Sequence, residues 1–260
     1  MFKNRVVTAL IGIPLLLLVL YKGGIYWEIF ITLIGILAYC EFTGIMVSNH
    51  LKPIFFPGLF LMMVLLYKMN PYFFLVIFCI LVFTILFTII RYPYYNIIDF
   101  SVTIFGASYI GFLLGYTIDI NSLPLSFLIT LLALVLTWSS DTGAYLAGKI
   151  WGKHKINPGL SPNKTWEGAV GGLILSTLAA FVFFQITDMA KVSLAYVLAL
   201  GFLASIFAQF GDLFISWIKR YFRVKDTGKI LPGHGGILDR FDSFLLVVPL
   251  IYYFAIYILK

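Results

Sequence analysis

Nine long apolar segments constrain this chain more than any other feature. They run over about 5–21, 25–47, 54–68, 72–90, 100–118, 124–148, 166–187, 193–218 and 243–259. Crossing a hydrocarbon core takes about 20 helical residues, and most of these segments are near that length. Lipid offers the backbone no hydrogen-bond partners, so only helices and closed barrels span it. Barrel strands are about 9–11 residues long, which these runs far exceed. The expected fold is all-α, a polytopic membrane helix bundle of about nine transmembrane helices, with the short third segment as a candidate re-entrant piece. Composition agrees: 62% of residues are hydrophobic and 11% charged, against roughly 45–50% and about 25% in soluble domains.

The breaks between segments carry Gly, Pro, Asn or charge, as in Lys22-Gly23-Gly24, Asn70-Pro71 and Arg91-Tyr92-Pro93. After Met1 to Arg5 and the apolar run to Leu20 comes Tyr21-Lys22-Gly23-Gly24, with no small-residue cleavage pattern. That reads as an uncleaved first span. Cys40 and Cys79 lie inside apolar runs and read as buried small hydrophobes.

The net charge of +7 must be read by position. With nine spans, fourteen of the eighteen Lys and Arg residues fall on the side of the N-terminus, and four on the other. Basic residues mark the cytoplasmic side. The N-terminus and the two long polar loops, about 149–165 and 219–242, are therefore expected in the cytoplasm. The basic excess is accounted for by sidedness, so no nucleic-acid partner is expected. Dense polar chemistry is confined to the second half. This divides the chain into an N-terminal transmembrane scaffold, 1–123, and a C-terminal catalytic region, 124–260.

A charged side chain at mid-bilayer costs about 2.5–3.5 kcal/mol on insertion scales, so acids inside spans need a reason. Glu41, Asp141 and Asp212 lie seven or eight residues before the cytoplasmic ends of their segments. A rise of 1.5 Å per residue puts all three roughly 10–12 Å inside that boundary. For Glu41, with nothing chemical nearby, a salt bridge to a loop cation or a boundary position is the simpler account. Asp239 and Asp242 are three apart at the entry to the last span, on one face of a helix. A cluster of Asp141, Asp212, Asp239 and Asp242 repels itself unless a cation compensates it, and hard oxygen ligands suit Mg²⁺.

The first long loop reads Gly152-Lys-His-Lys155 and Ser161-Pro-Asn-Lys-Thr-Trp-Glu-Gly168. Ser161 or Asn163 is expected to cap the next helix, with Pro162 near its start. A helix first turn beside Lys164 makes an anion site. His154, between two lysines, is expected to be solvated, with no metal role.

The second loop runs Ser216-Trp-Ile-Lys-Arg-Tyr-Phe-Arg-Val-Lys-Asp226, then Thr-Gly-Lys-Ile-Leu-Pro-Gly-His-Gly-Gly-Ile-Leu-Asp239-Arg-Phe-Asp242. It joins six cations, three acids and a Pro-Gly-His-Gly-Gly turn that permits close backbone approach. From Ser216 to Asp242 this resembles the signature of the phosphatidate cytidylyltransferases: Ser-x-x-Lys-Arg, Lys-Asp, then Pro-x-His-Gly-Gly-x-x-Asp-Arg-x-Asp. The segments Ser140-Asp-Thr-Gly-Ala-Tyr145 and Ser161-Pro-Asn-Lys-Thr-Trp-Glu-Gly168 are also similar to that family. The resemblance is strong over 138–242; over 1–137 it is a shared hydropathy pattern.

The resemblance implies transfer of a cytidylyl group from CTP to phosphatidic acid, giving CDP-diacylglycerol and pyrophosphate. It implies Mg²⁺, with Asp212 and Asp239 among its ligands and as catalytic residues. Asp141 and Asp242 join them on depth and spacing, and a second, monovalent cation is conceivable. Lys219, Arg220, Lys225 and Arg240 are expected on the triphosphate and leaving pyrophosphate, and Lys164 on the lipid phosphate or CTP. Ser161, Asn163, Asp226, His234, Gly235 and Gly236 complete the expected substrate contacts. Two rivals remain. A CTP-dependent polyprenol or phytol kinase shares a nucleotide site but fits the loop signature less well. An ion-coupled transporter explains buried acids, but no convincing repeat supports it. Gly171 and Gly172 would let spans pack closely enough for a homodimer, although no partner face is identifiable.

Overall fold

The computed structural model describes residues 2–68, 72–187, 189, 192–230 and 235–259, with side chains from Leu10 onward. Within them lie nine helices and one small hairpin: α1 Phe2–Lys22, α2 Gly24–Ser48, α3 Phe55–Tyr67, α4 Phe73–Ile90, α5 Ile97–Asn121, α6 Ser126–Trp151, β1 Lys155–Asn157, β2 Ser161–Thr165, α7 Trp166–Thr187, α8 Leu194–Tyr221 and α9 Leu238–Ile258. Among the described residues, seven of these helices are long and apolar enough to span a membrane. Helix α3, with 13 residues, reaches only about 20 Å. This is a helical membrane bundle, as the apolar runs required. The chain divides into two compact units, Met1–Asp119 with Phe222–Asp239, and Ile120–Tyr221 with Arg240–Lys260.

In the first unit, α2 ends where His50 takes a left-handed conformation, φ 64°. The N–H of Leu51 then donates to Met46 O, and that of His50 to Val47 O. This Schellman arrangement satisfies carbonyls that the helix end would otherwise leave open. The connector to α3 is tied to the start of α5: Lys52 N donates to Asp99 Oδ1 at 2.7 Å and Ile54 N to Thr103 Oγ1 at 2.8 Å. Asp99 is 1% exposed and also accepts from Asn96 N. Gly111 and Gly115 set α5 directly on the backbone of Met62, Leu65 and Leu66 in α3. At the far end of α3, the Lys68 ammonium pairs with Asp119 and lies 3.6 Å from the Tyr116 ring centroid.

In the second unit, α6, α7 and α8 pack together through small residues and hydroxyls. The backbones of Gly143 and Gly171 meet, leaving no room for a side chain at either. Ser140 Oγ and Ser205 Oγ hydrogen-bond at 2.8 Å, and Gln209 Nε2 donates to Ser205 Oγ and Ala169 O. Without a hydrophobic drive between helices in lipid, close packing and such hydrogen bonds supply the association. Helix α9 joins them where Asp242 and Ser243 press on Gly211 of α8.

The long loops are more structured than the sequence suggests. Helix α6 runs on to Trp151, and most of the first loop is the antiparallel pair β1–β2. Helix α8 continues to Tyr221 and α9 begins at Leu238. Lys219 and Arg220 therefore sit in the last turn of α8, where cations complement the helix dipole.

Candidate active site

In the second unit a cavity of about 240 Å³ lies among α6, β2, α7 and α8. Asp141 of α6, Lys164 of β2 and Asp212 of α8 line it, with Tyr145, Asn163 and Gln209. The Lys164 Nζ is 2.7 Å from Asp212 Oδ2. It is buried, yet it makes no hydrogen bond of good geometry among the described residues. An ammonium has three donors, and a buried polar group left unmatched calls for an explanation. An anionic oxygen in the cavity would supply the missing acceptors.

The β-hairpin delivers Lys164 to this position. Thr165 Oγ1 accepts from Gly168 N at 3.1 Å and so caps α7. This corrects the expectation that Ser161 or Asn163 caps the helix and Pro162 begins it: all three belong to β2, and the helix starts only at Trp166. Glu167 closes the base of the hairpin. Its carboxylate accepts from the N–H groups of Lys153 and His154 and pairs with His154 Nδ1 at 2.6 Å. His154 is solvated as expected, 79% of its side chain being accessible, and it also pairs with Glu167. Arg220 Nε donates to Leu160 O at 3.2 Å, joining the end of α8 to the hairpin turn.

A third acid belongs to the same neighbourhood. Asp242 interacts electrostatically with Asp212, Asp141 and Lys219. Asp141 in turn feels Asp212, Lys164 and Arg240, and its carboxylate accepts a hydrogen bond from the Ser243 side chain. Asp242 Oδ1 accepts from Ser243 N at 2.7 Å, and Ser216 Oγ donates to Asp212 Oδ1 at 3.3 Å. Three carboxylates and the cations Lys164, Lys219 and Arg240 thus share one electrostatic environment. Asn163 lines the cavity; Ser161, facing Asn157 across the hairpin, is not among its lining residues.

The remaining expected residues fall in the first unit. Lys225 and Asp226 line a separate cavity of about 380 Å³ with Ser48, Thr227, Gly228 and Lys229. Asp239 Oδ2 accepts from Thr227 N at 2.8 Å, Thr227 Oγ1 at 3.0 Å and Gly236 N at 3.0 Å. Gly235, at φ 83°, brings the backbone against the Asp239 carboxylate. His234 lies outside the described residues. Among the described residues, no three His, Cys, Asp or Glu side chains are drawn together as a ready ligand set. The chemistry of Asp141, Asp212 and Asp242 nevertheless fits a hard divalent cation: all their donors are carboxylate oxygens, and their mutual repulsion favours a positive charge among them.

Sequence reasoning missed Glu41. It is 6% exposed, and among the described residues it makes no salt bridge to a loop cation. It accepts from Ile237 N and Leu238 N, both at 2.9 Å, and from Thr227 Oγ1 at 3.1 Å. Its place inside a span was the signal available in the sequence; its partners, nearly two hundred residues away, were not.

The fold and the site describe a helical integral membrane protein with a charged cavity walled by apolar helices. The chain belongs to the cytidylyltransferase family, whose family model matches residues 3–258. It is similar to the phosphatidate cytidylyltransferase of Staphylococcus saprophyticus, 37% identical over 258 residues, which cover 96% of this chain and 97% of that one. The phosphatidate cytidylyltransferases of Staphylococcus epidermidis and Staphylococcus aureus are 36% and 35% identical, with the same coverage.

Proposed function

We propose that this chain is a CTP:phosphatidate cytidylyltransferase of the bacterial plasma membrane, working from its cytoplasmic side. The phosphate of phosphatidic acid attacks the α-phosphorus of CTP in line. The bond to the β-phosphate oxygen breaks, and pyrophosphate leaves as CDP-diacylglycerol forms. The nucleophile is already an anion, so no covalent enzyme intermediate is needed; positioning and charge neutralisation carry the catalysis.

The observation that carries this reading is the buried ammonium of Lys164, ion-paired to Asp212 with donors to spare, in a cavity with Asp141, in a chain of this family. Lys164 is the cation for a substrate phosphate, and Asn163 beside it a neutral donor. Lys219 and Arg240 neutralise charge on the triphosphate. Asp141, Asp212 and Asp242 would hold Mg²⁺, with Asp239 proposed as a further ligand on the sequence signature. Mg²⁺ bound there supplies positive charge against that accumulating on the phosphate oxygens. The apolar wall of the cavity suits a lipid substrate that enters from the bilayer.

Purified protein in detergent, given CTP, phosphatidic acid and Mg²⁺, is expected to release pyrophosphate and form CDP-diacylglycerol. Asp212→Asn should abolish turnover while the protein remains folded and inserted. Full activity in that variant, or label from CTP appearing on a polyprenol instead of phosphatidic acid, would refute the reading.

A further inference from the structure

We infer that Glu41 is a positioning residue for the nucleotide-handling loop, acting through Thr227 on Asp239 and on the wall of the Lys225 cavity. The inference rests on the proposed cytidylyltransferase reading for what the loop does, and on the first unit alone for how it is held. Both oxygens of Glu41 are engaged: Oε1 accepts from Ile237 N, and Oε2 from Leu238 N and Thr227 Oγ1. Its partners among the described residues are two backbone N–H groups and one hydroxyl, all from the stretch Phe222–Asp239. A carboxylate inside α2 is thereby used to gather both ends of one loop. Charge-assisted hydrogen bonds of this kind are roughly twice as strong as neutral ones.

Thr227 makes the arrangement more than an anchor. Its hydroxyl stands 3.1 Å from Glu41 Oε2 and 3.0 Å from Asp239 Oδ2. A hydroxyl has one proton to donate, so the two acids share it, and moving either one re-aims the bond to the other. Glycine is required where the loop passes Glu41: a Cβ at Gly228 or Gly236 would run into its carboxylate. Thr227 and Gly228 also line the 380 Å³ cavity beside Lys225, Asp226 and Lys229. Glu41 therefore touches no substrate in this scheme. It sets the direction of Asp239 and the spacing of the basic residues around that cavity.

A purely structural role predicts less folded protein with unchanged Michaelis constants. A positioning role predicts a selective effect on CTP. Glu41→Gln should raise the KM for CTP roughly tenfold or more, the scale seen when groups that orient a ligand set are lost, with the KM for phosphatidic acid unchanged. Thr227→Val, which keeps the shape but removes the hydroxyl, should do the same, and Thr227→Ser should recover most of that loss. The double variant Glu41→Gln/Thr227→Val should be little worse than either single one, because both break one linkage. If Glu41→Gln does not fold, the Thr227 pair carries the test. Wild-type KM for CTP in both Glu41→Gln and Thr227→Val overturns the inference. Hydrogen exchange gives a readout that needs no turnover: the peptide covering 222–239 should exchange faster in Glu41→Gln. Unchanged exchange defeats the clamp itself, whereas an inactive wild-type enzyme with a loosened loop in the variant defeats only the catalytic reading.

Discussion

The Lys164 ammonium, at the end of a two-stranded hairpin, stands 2.7 Å from the Asp212 carboxylate inside α8. The Lys164 nitrogen is buried, but 25% and 35% of the two side chains' surfaces are accessible. An ion pair between side chains this accessible contributes at most about 1 kcal/mol to stability. Preorganised charge at a reacting phosphate is worth far more, about 10²–10³ in rate for a single donor. Lys164→Met and Asp212→Asn should therefore lower kcat/KM by at least about 10²-fold while shifting the thermal midpoint in detergent only slightly. Steady-state kinetics and a melting curve on the same preparations check both halves.

The hairpin delivers Lys164 because α7 begins cleanly behind it. Thr165→Ala removes the cap hydrogen bond to Gly168 N and should destabilise the protein by about 1 kcal/mol; Thr165→Ser should restore it. Loss of Glu167, which holds the N–H groups of Lys153 and His154, should open the hairpin instead. Glu167→Ala is expected to speed proteolysis between 152 and 165 without lowering the global melting temperature, as limited digestion will show.

Close approach of α6 and α7 depends on Gly143 and Gly171. A side chain at 143 meets the Gly171 backbone and Leu175, so Gly143→Leu should destabilise by about 1–3 kcal/mol through overpacking. Phe78 of α4 is 62% exposed and faces what a bilayer would cover. Phe78→Ala should leave the melting temperature nearly unchanged. The contrast between the two variants tests which surfaces hold the helices together.

Sidedness is proposed from the distribution of Lys and Arg. With Cys40 and Cys79 replaced by Ser, His154→Cys should react with an impermeant thiol reagent only from the cytoplasmic face. Lys22→Cys should react only from the opposite face. Labelling of both from the same side would remove the topology.

Three residues of the candidate cavity could be picked out in the sequence because their signal is local. Asp141 and Asp212 stand out as acids in apolar runs, and Lys164 as a cation at the foot of the next span; the structure brings these three to one cavity. Asp242 was expected beside them from its spacing to Asp239, and it shares their electrostatic environment. The cap and the hairpin were misread because Ser161, Asn163 and Thr165 are all competent caps, and only the strand pairing of Ser161–Thr165 selects the last. Glu41 was undervalued because its partners are Thr227, Ile237 and Leu238, 186 to 197 residues onward.

The amino-acid sequence alone determined that the chain is helical, polytopic and of this enzyme family. Those properties follow from segment length, hydropathy and a contiguous loop signature, each of which a short window contains. Only the tertiary structure decided which carboxylate faces which cation and which one fastens the loop. A hydrogen bond to a backbone N–H leaves no mark on the identity of the residue that donates it, so no pattern of side chains announces it in advance.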